Sequence, residues 1–143
     1  MPVIESSVAE FVERWREHAI PVHLYPQPEG SPLIEAHFAG RVLYLLDRAG
    51  PYALRPGETR LIINPVTATV VRADEQEERL HVTGVSRIEA TGQVLDVTPS
   101  LLVVRALAPL VVGVFDDSWR GVSRGDWVSF TSLEPVHGFP AHT

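Results

Sequence analysis

Two apolar runs, Leu101-Leu102-Val103-Val104 and Leu110-Val111-Val112, do not alternate with polar residues. A strand wetted on one face alternates; a strand apolar at every position is buried on both sides. Whatever this chain folds into must therefore supply two apolar layers around these segments. The N-terminal helix, a second sheet or another subunit would each do so. A strand of this kind left at an edge would be an aggregation hazard, so self-association into a homo-oligomer is expected.

The rest of the chain from residue 33 onward reads as strand after strand. Leu33 to Phe38 and Arg41 to Asp47 flank Ala39-Gly40, a tight turn or a bulge within one long strand. Pro51 to Gly57 is broken by turn residues, Arg60 to Asn64 is a short apolar run, and Val66 to Val70 alternates, its valines and alanine on one face. The acidic run Ala73 to Glu78 reads as a solvated hairpin loop. Arg79 to Val85 follows, with Leu80 and Val82 inward and His81 and Thr83 outward. Further strands are expected at Arg87 to Ala90, Gln93 to Val97, Leu101 to Ala106, Leu110 to Phe115 and Trp127 to Thr131. The spacing suggests an antiparallel barrel or sandwich of about eight to nine strands.

Ahead of the strands, Val8, Phe11, Val12 and Trp15 recur at i, i+3, i+4 and i+7, one apolar stripe of a helix. Ser7-Val8-Ala9-Glu10 has the form of a capping box at its start, and Pro21 sets its end near His18 to Ile20. About three turns of helix are marginal alone, so the stripe must dock on the β domain or on a partner. Residues 1–32 are read as this helix and a proline-rich connector, residues 33–143 as the β domain.

An internal echo divides that domain. Ile34-Glu35-Ala36 and Gly40-Arg41-Val42-Leu43 recur as Ile88-Glu89-Ala90 and Gly92-Gln93-Val94-Leu95; Arg55-Pro56-Gly57-Glu58 loosely matches Ser123-Arg124-Gly125-Asp126. Two related β units, at about 33–73 and 84–140, or coincidence among glycine-turned strands would each produce it.

Composition narrows the function classes. The chain has no cysteine and, by inspection, no lysine, which removes disulfides, thiolate sites and any GxxxxGK[ST] phosphate loop. Its net charge is −6 and its pI about 5.4, against a general nucleic-acid coat. No signal peptide is visible, and Leu101 to Phe115, interrupted by Arg105 and Pro109, is too short to span a bilayer. A cytoplasmic protein with no membrane role is expected.

The stretch that most invites a functional reading runs from Phe115 to Thr131. If the last strand alternates, Trp127 lies outward with Ser129 and Thr131, opposite Val128 and Phe130. An outward tryptophan is costly to leave bare, and Trp119, Arg120 and Arg124 precede it. Tryptophan with arginine makes a stacking platform for bases or sugars or a protein hot spot. The bland alternative is a tryptophan plugging a barrel end, its neighbouring arginines paired with Asp116, Asp117 and Asp126. The short-strand order with a late Gly125-Asp126-Trp127-Val128 strand entry resembles the five-stranded oligonucleotide/oligosaccharide-binding barrel over roughly residues 84 to 140. The resemblance implies a ligand face on the strand surface carrying Trp127.

Other chemistry finds little support. No histidine pair has HxH or HxxxH spacing; His81 and His37 read as outward strand residues, and His137 to His142 as a tail. No metal or cofactor is implied. Asp116 and Asp117 read as turn acids, and no serine stands in a GxSxG setting. The expectation is a non-catalytic binding or assembly module, self-associating through its apolar strands and a Trp/Arg surface at Trp119, Arg120, Arg124, Trp127, Ser129 and Thr131. An OB-like binder of single-stranded nucleic acid or glycan, and a small hydrolase-type enzyme with an enclosed pocket, are the alternatives.

Overall fold

Buried and exposed side chains alternate along most of the strands in the computed structural model, which describes residues 3–48 and 55–141, with side chains from Val8 onward. After helix α1 (Val3–Trp15) and a 3-10 turn come β1 (Ile20–Leu24), β2 (Leu33–Phe38), β3 (Arg41–Asp47), β4 (Gly57–Asn64), β5 (Val66–Thr67) and β6 (Val71–Arg72). The second half carries β7 (Arg79–Gly84), β8 (Arg87–Thr98), β9 (Leu101–Arg105), β10 (Pro109–Val114), a 3-10 turn at Asp117–Gly121, β11 (Trp127–Thr131) and β12 (Val136–Pro140). The fold is mainly β: a closed five-stranded barrel, a second curled sheet, and one short N-terminal helix.

The two sheets follow one plan. In the barrel, β1, β2 and β3 form an antiparallel meander and β4 returns antiparallel to β1. The remaining gap is filled by β12, parallel to β3 and antiparallel to β4. In the second sheet, β8, β9 and β10 form the meander and β11 returns antiparallel to β8. Here β5 lies parallel to β10, and Thr67 bridges Ser132 just past β11. Each sheet thus takes its closing strand from the other half of the chain. The sheets are also stitched directly: buried Ser86 donates to the Tyr44 carbonyl and accepts from Val136 N at 2.8 Å. Asn64 Nδ2 donates to the Val111 carbonyl at 2.7 Å.

The doubly apolar strands find both their layers within the chain. Leu102, Val104, Leu110 and Val112 join a core shared by the two sheets, while Val103 and Val111 meet Trp15, Ala19, Ile62 and Phe139 in a second cluster. Helix α1 caps that cluster with the expected stripe: Phe11 stacks on Phe139 at 4.2 Å between centroids, and Val8 and Val12 pack beside it. These strands therefore present no bare face, and the ground for expecting self-association through them is met by intramolecular cover.

Several local expectations are corrected. The helix begins at Val3, so Ser7 stands inside it and does not cap it. Ile20–Leu24, assigned to the connector because of its prolines, is a strand with Ile20, Val22 and Leu24 buried; Pro21 points outward. Ala39-Gly40 is a tight turn, both residues at positive φ. Residues 51–54 of the expected turn segment, and His142, lie outside the described residues.

Alternation at Val66 to Val70 yields only a two-residue strand, with Thr67 buried and Ala68 exposed. The Thr67 hydroxyl donates to the carbonyls of Thr69 and Thr131, both at 2.9 Å, and bends the chain away. The acidic run 73–78 is no hairpin loop: β6 pairs with β11 and β7 with β8, so the run crosses from one edge of the β11–β8 pair to the other. The expected tail is β12. The segments of the first echo lie on a hairpin (β2–β3) and on a single strand (β8); in the second, Gly57 and Gly125 both stand at positive φ at or just before the start of a strand. The OB-like resemblance lay over 84–140, but the closed barrel is built from β1 to β4 with β12.

Strand β8 is continuous across the two expected strands and runs through Gly92. A Cβ there would lie 2.2 Å from the Arg105 carbonyl oxygen, because β9 joins β8 where β7 leaves it. Gly92→Ala is expected to destabilise the fold by about 2 kcal/mol or more, as overpacking against backbone does; a urea midpoint unchanged from wild type would contradict this close approach.

The exchanged strands make a second expectation. With a specific protease site placed within 73–78 and cut, the two fragments should still co-elute in native buffer and part only in denaturant. Separation of folded fragments would show that the exchange does not hold them.

His137 on β12 supplies a pH dependence. Burial, with the Arg48 guanidinium beside it, holds its imidazole below the ordinary value of 6.5, and Arg48 approaches Nδ1 at 3.1 Å. The unfolded chain takes up this proton at higher pH than the fold does. The contribution is therefore full above 6.5 and lost as the pH falls below it. His137→Gln should flatten the stability profile just below that pH; an unaltered slope would assign the dependence elsewhere.

Candidate functional site

Strand β8 outruns β9 at its N-terminal end, and that free length, flanked by β7 and β11, is the floor of a cleft of about 590 Å³. Alternation sends Leu80, Ile88, Val128 and Phe130 into the core and leaves the intervening side chains facing out. Pairing then sets them in two cross-strand rows. Arg79, Thr91 and Ser129 form one row; His81, Glu89 and Thr131 form the next. Directly opposed residues on neighbouring strands lie about 5 Å apart at Cβ, so each row is a contiguous polar line.

The far wall is the bent segment Thr67 to Val71. It is held from behind, where Val70 N donates to Ser118 Oγ at 2.9 Å. Asp116 in turn accepts from Ser118 N at 2.9 Å and from its hydroxyl, and these bonds hold the Asp116 carboxyl below the usual carboxylate range. The acidic crossing forms a side groove of about 340 Å³ that shares Arg79, Thr91 and Ser129 with the cleft.

Within the rows the groups are engaged to different degrees. The Thr91 and Ser129 hydroxyls bond each other at 2.8 Å. Arg79 forks to Glu75 and Glu77, the latter at 3.2 Å. Among the described residues, no hydrogen bond or ion pair engages the side chains of His81, Glu89 or Thr131. Elsewhere the chain closes such pairs: His23 meets Glu58 at 2.6 Å and His37 meets Glu35 at 2.7 Å.

Of the six residues singled out from sequence, Ser129 and Thr131 line the cleft and the other four do not. Trp127 is half-buried on the same sheet face, one row further, opposite Gln93. Trp119 is half-buried against the main core behind the cleft wall, and the Arg120 guanidinium lies 4.7 Å from its ring centroid. Arg124 reaches away to Asp96 at 3.0 Å, and that hydrogen bond holds the Asp96 carboxyl below its ordinary range. Arg72 pairs with Asp126 at 3.4 Å. The cleft residues not singled out, Arg79, His81, Glu89 and Thr91, share one visible signal: polar pairs at i, i+2 on strands that sheet pairing sets side by side.

Among the described residues, no group of three His, Asp or Glu side chains is placed to hold a metal ion. No described helix is long and apolar enough to cross a membrane. Comparison with protein-family models, with curated proteins and with solved structures gives no match.

Proposed function

We propose that this chain is a non-catalytic binding module whose ligand site is the cleft over β7, β8 and β11. The observation that carries the reading is the row His81–Glu89–Thr131: three polar side chains, aligned on a rigid sheet, facing open space and engaged with nothing else described. Its volume lies in the range of small-molecule sites. Nothing in the cleft favours covalent chemistry, since Ser129 bonds Thr91 rather than a base. A cysteine-free chain of this kind suits a reducing cytoplasm.

A second reading has its own observation. Five strands closed in the order β1-β2-β3-β12-β4, with β3 and β12 parallel, resemble the oligonucleotide/oligosaccharide-binding barrel. That is a fold-level analogy, and the net charge of −6 weighs against a phosphate backbone as ligand.

The two readings part in one titration. Isotope-labelled protein is titrated with a panel of small polar fragments and, separately, with a short oligothymidine, and amide shifts are mapped. Fragment-induced shifts should cluster at residues 67–71, 79–81, 89–91 and 129–131, and should vanish in Thr131→Trp, which fills the cleft from an exposed position. Shifts absent from the cleft, or untouched by Thr131→Trp, would sink the cleft reading. Salt-sensitive oligothymidine binding on the barrel's outer strands would favour the second.

A further inference from the structure

We infer that the cleft takes a neutral, multiply hydroxylated ligand, either a free sugar or polyol or the end of a glycan, rather than an anion. This rests on the cleft being the binding site and adds the chemistry of the occupant.

The first step concerns charge. An anion in this cleft would need an unspent cation, and the two guanidiniums at hand are committed. Arg79 is forked between Glu75 and Glu77, and Arg72 is paired with Asp126. What remains uncompensated on the floor is Glu89, with Asp74 lining the adjoining groove. A phosphate or carboxylate would meet the Glu89 charge with no free guanidinium to offset it, which is costly in a partly desolvated site.

The second step concerns hydrogen bonding. A carboxylate only accepts, an imidazole offers one donor or acceptor on each nitrogen, and hydroxyls do both. Glu89 thus calls for a donor, while His81 and Thr131 can bond a group of either sense; the Ser129 hydroxyl is shared with Thr91, and that of Thr69 donates to Asp116. A hydroxyl is the group that donates to the carboxylate and still accepts from its neighbours, and two vicinal hydroxyls match two carboxylate oxygens. His81 stands directly across from Glu89 without bonding it. In this chain other carboxylate–imidazole pairs close at 2.6 and 2.7 Å, so the open pair leaves both groups for an occupant. Val71, with 56% of its surface exposed, and Ala68 offer an apolar wall for the C–H face of a ring.

The test titrates labelled full-length protein with neutral monosaccharides and polyols, neutral oligosaccharides, inorganic phosphate, a sugar phosphate and a polyamine. Neutral sugars should shift amides at 79–81, 89–91 and 129–131, and Glu89→Gln should weaken them about tenfold, the scale of a hydrogen bond to a charged group. Thr131→Val should weaken them too, with circular dichroism unchanged in both variants. A monosaccharide as effective as an oligosaccharide would assign a free sugar; a gain with chain length would assign a glycan. Cleft shifts from phosphate or polyamine alone would overturn the ligand class and leave the site standing. Cleft amides that no panel member moves, or sugar-induced shifts elsewhere, would overturn both.

Discussion

Neither sheet of this protein can be completed from its own half of the chain. The gap between β3 and β4 is filled by β12, which arrives from the far end of the second sheet, and β5 crosses the other way to lie on β10. Unpaired strand edges are exposed templates for association; β12 removes the barrel's edges, and β5 covers that of β10. The exchange also fixes spacing. Because β12 leaves β11 after only Ser132 to Pro135, and β5 leaves β4 after Pro65, the sheets must lie close enough to bury Ile62, Val103, Val111 and Phe139 between them. Helix α1 then has one place to go, over the open side of that layer. The closest approaches are made by residues that give way: Gly138 lets β12 slip past Leu45, which a Cβ would meet at 3.2 Å.

The candidate site follows from the same arrangement. Among the described residues, β5 meets the β11 side of the second sheet through the single bridge Thr67–Ser132, so near that corner its outer face is left open rather than sealed by a full strand. The bent segment after β5 becomes a wall, the part of β8 before Gly92 a floor, and β7 the opposite rim. A floor of paired strands holds its side chains in fixed rows, so polar groups that face each other there stay where a ligand can find them.

How much of this was legible before the fold was known depends on the range of the interaction that decides each element. The doubly apolar strands, the Val8–Trp15 stripe, and the alternation of Arg79 to Val85 and of Trp127 to Thr131 are local patterns set by burial, and the structure repeats them. β1 and β12 were hidden because prolines at 21, 26 and 140 read as breaks, although Ile20, Val22 and Leu24 already alternated. What makes these segments strands is a partner far away in sequence: Ile20 faces Leu61, and Val136 faces Leu45. Gly92 is the same lesson in reverse, since a glycine that looks like a turn is a crossing point inside one long strand.

The tryptophans were the conspicuous residues, and their prominence pointed beside the cleft. A large aromatic near the surface has much apolar area to cover, and Trp119 covers its own by packing on the core and holding Arg120 over its outer face. Small polar side chains announce nothing in a sequence, because singly each is an ordinary outward strand residue. His81, Glu89 and Thr131 become a site only through register, which sets three residues from three separate strands in one line. A one-residue slip of β7 against β8 would turn His81 toward the core and Leu80 into water. Burial of Leu80 and Ile88 therefore does more than stabilise the sheet: the register it enforces is what aligns the polar row.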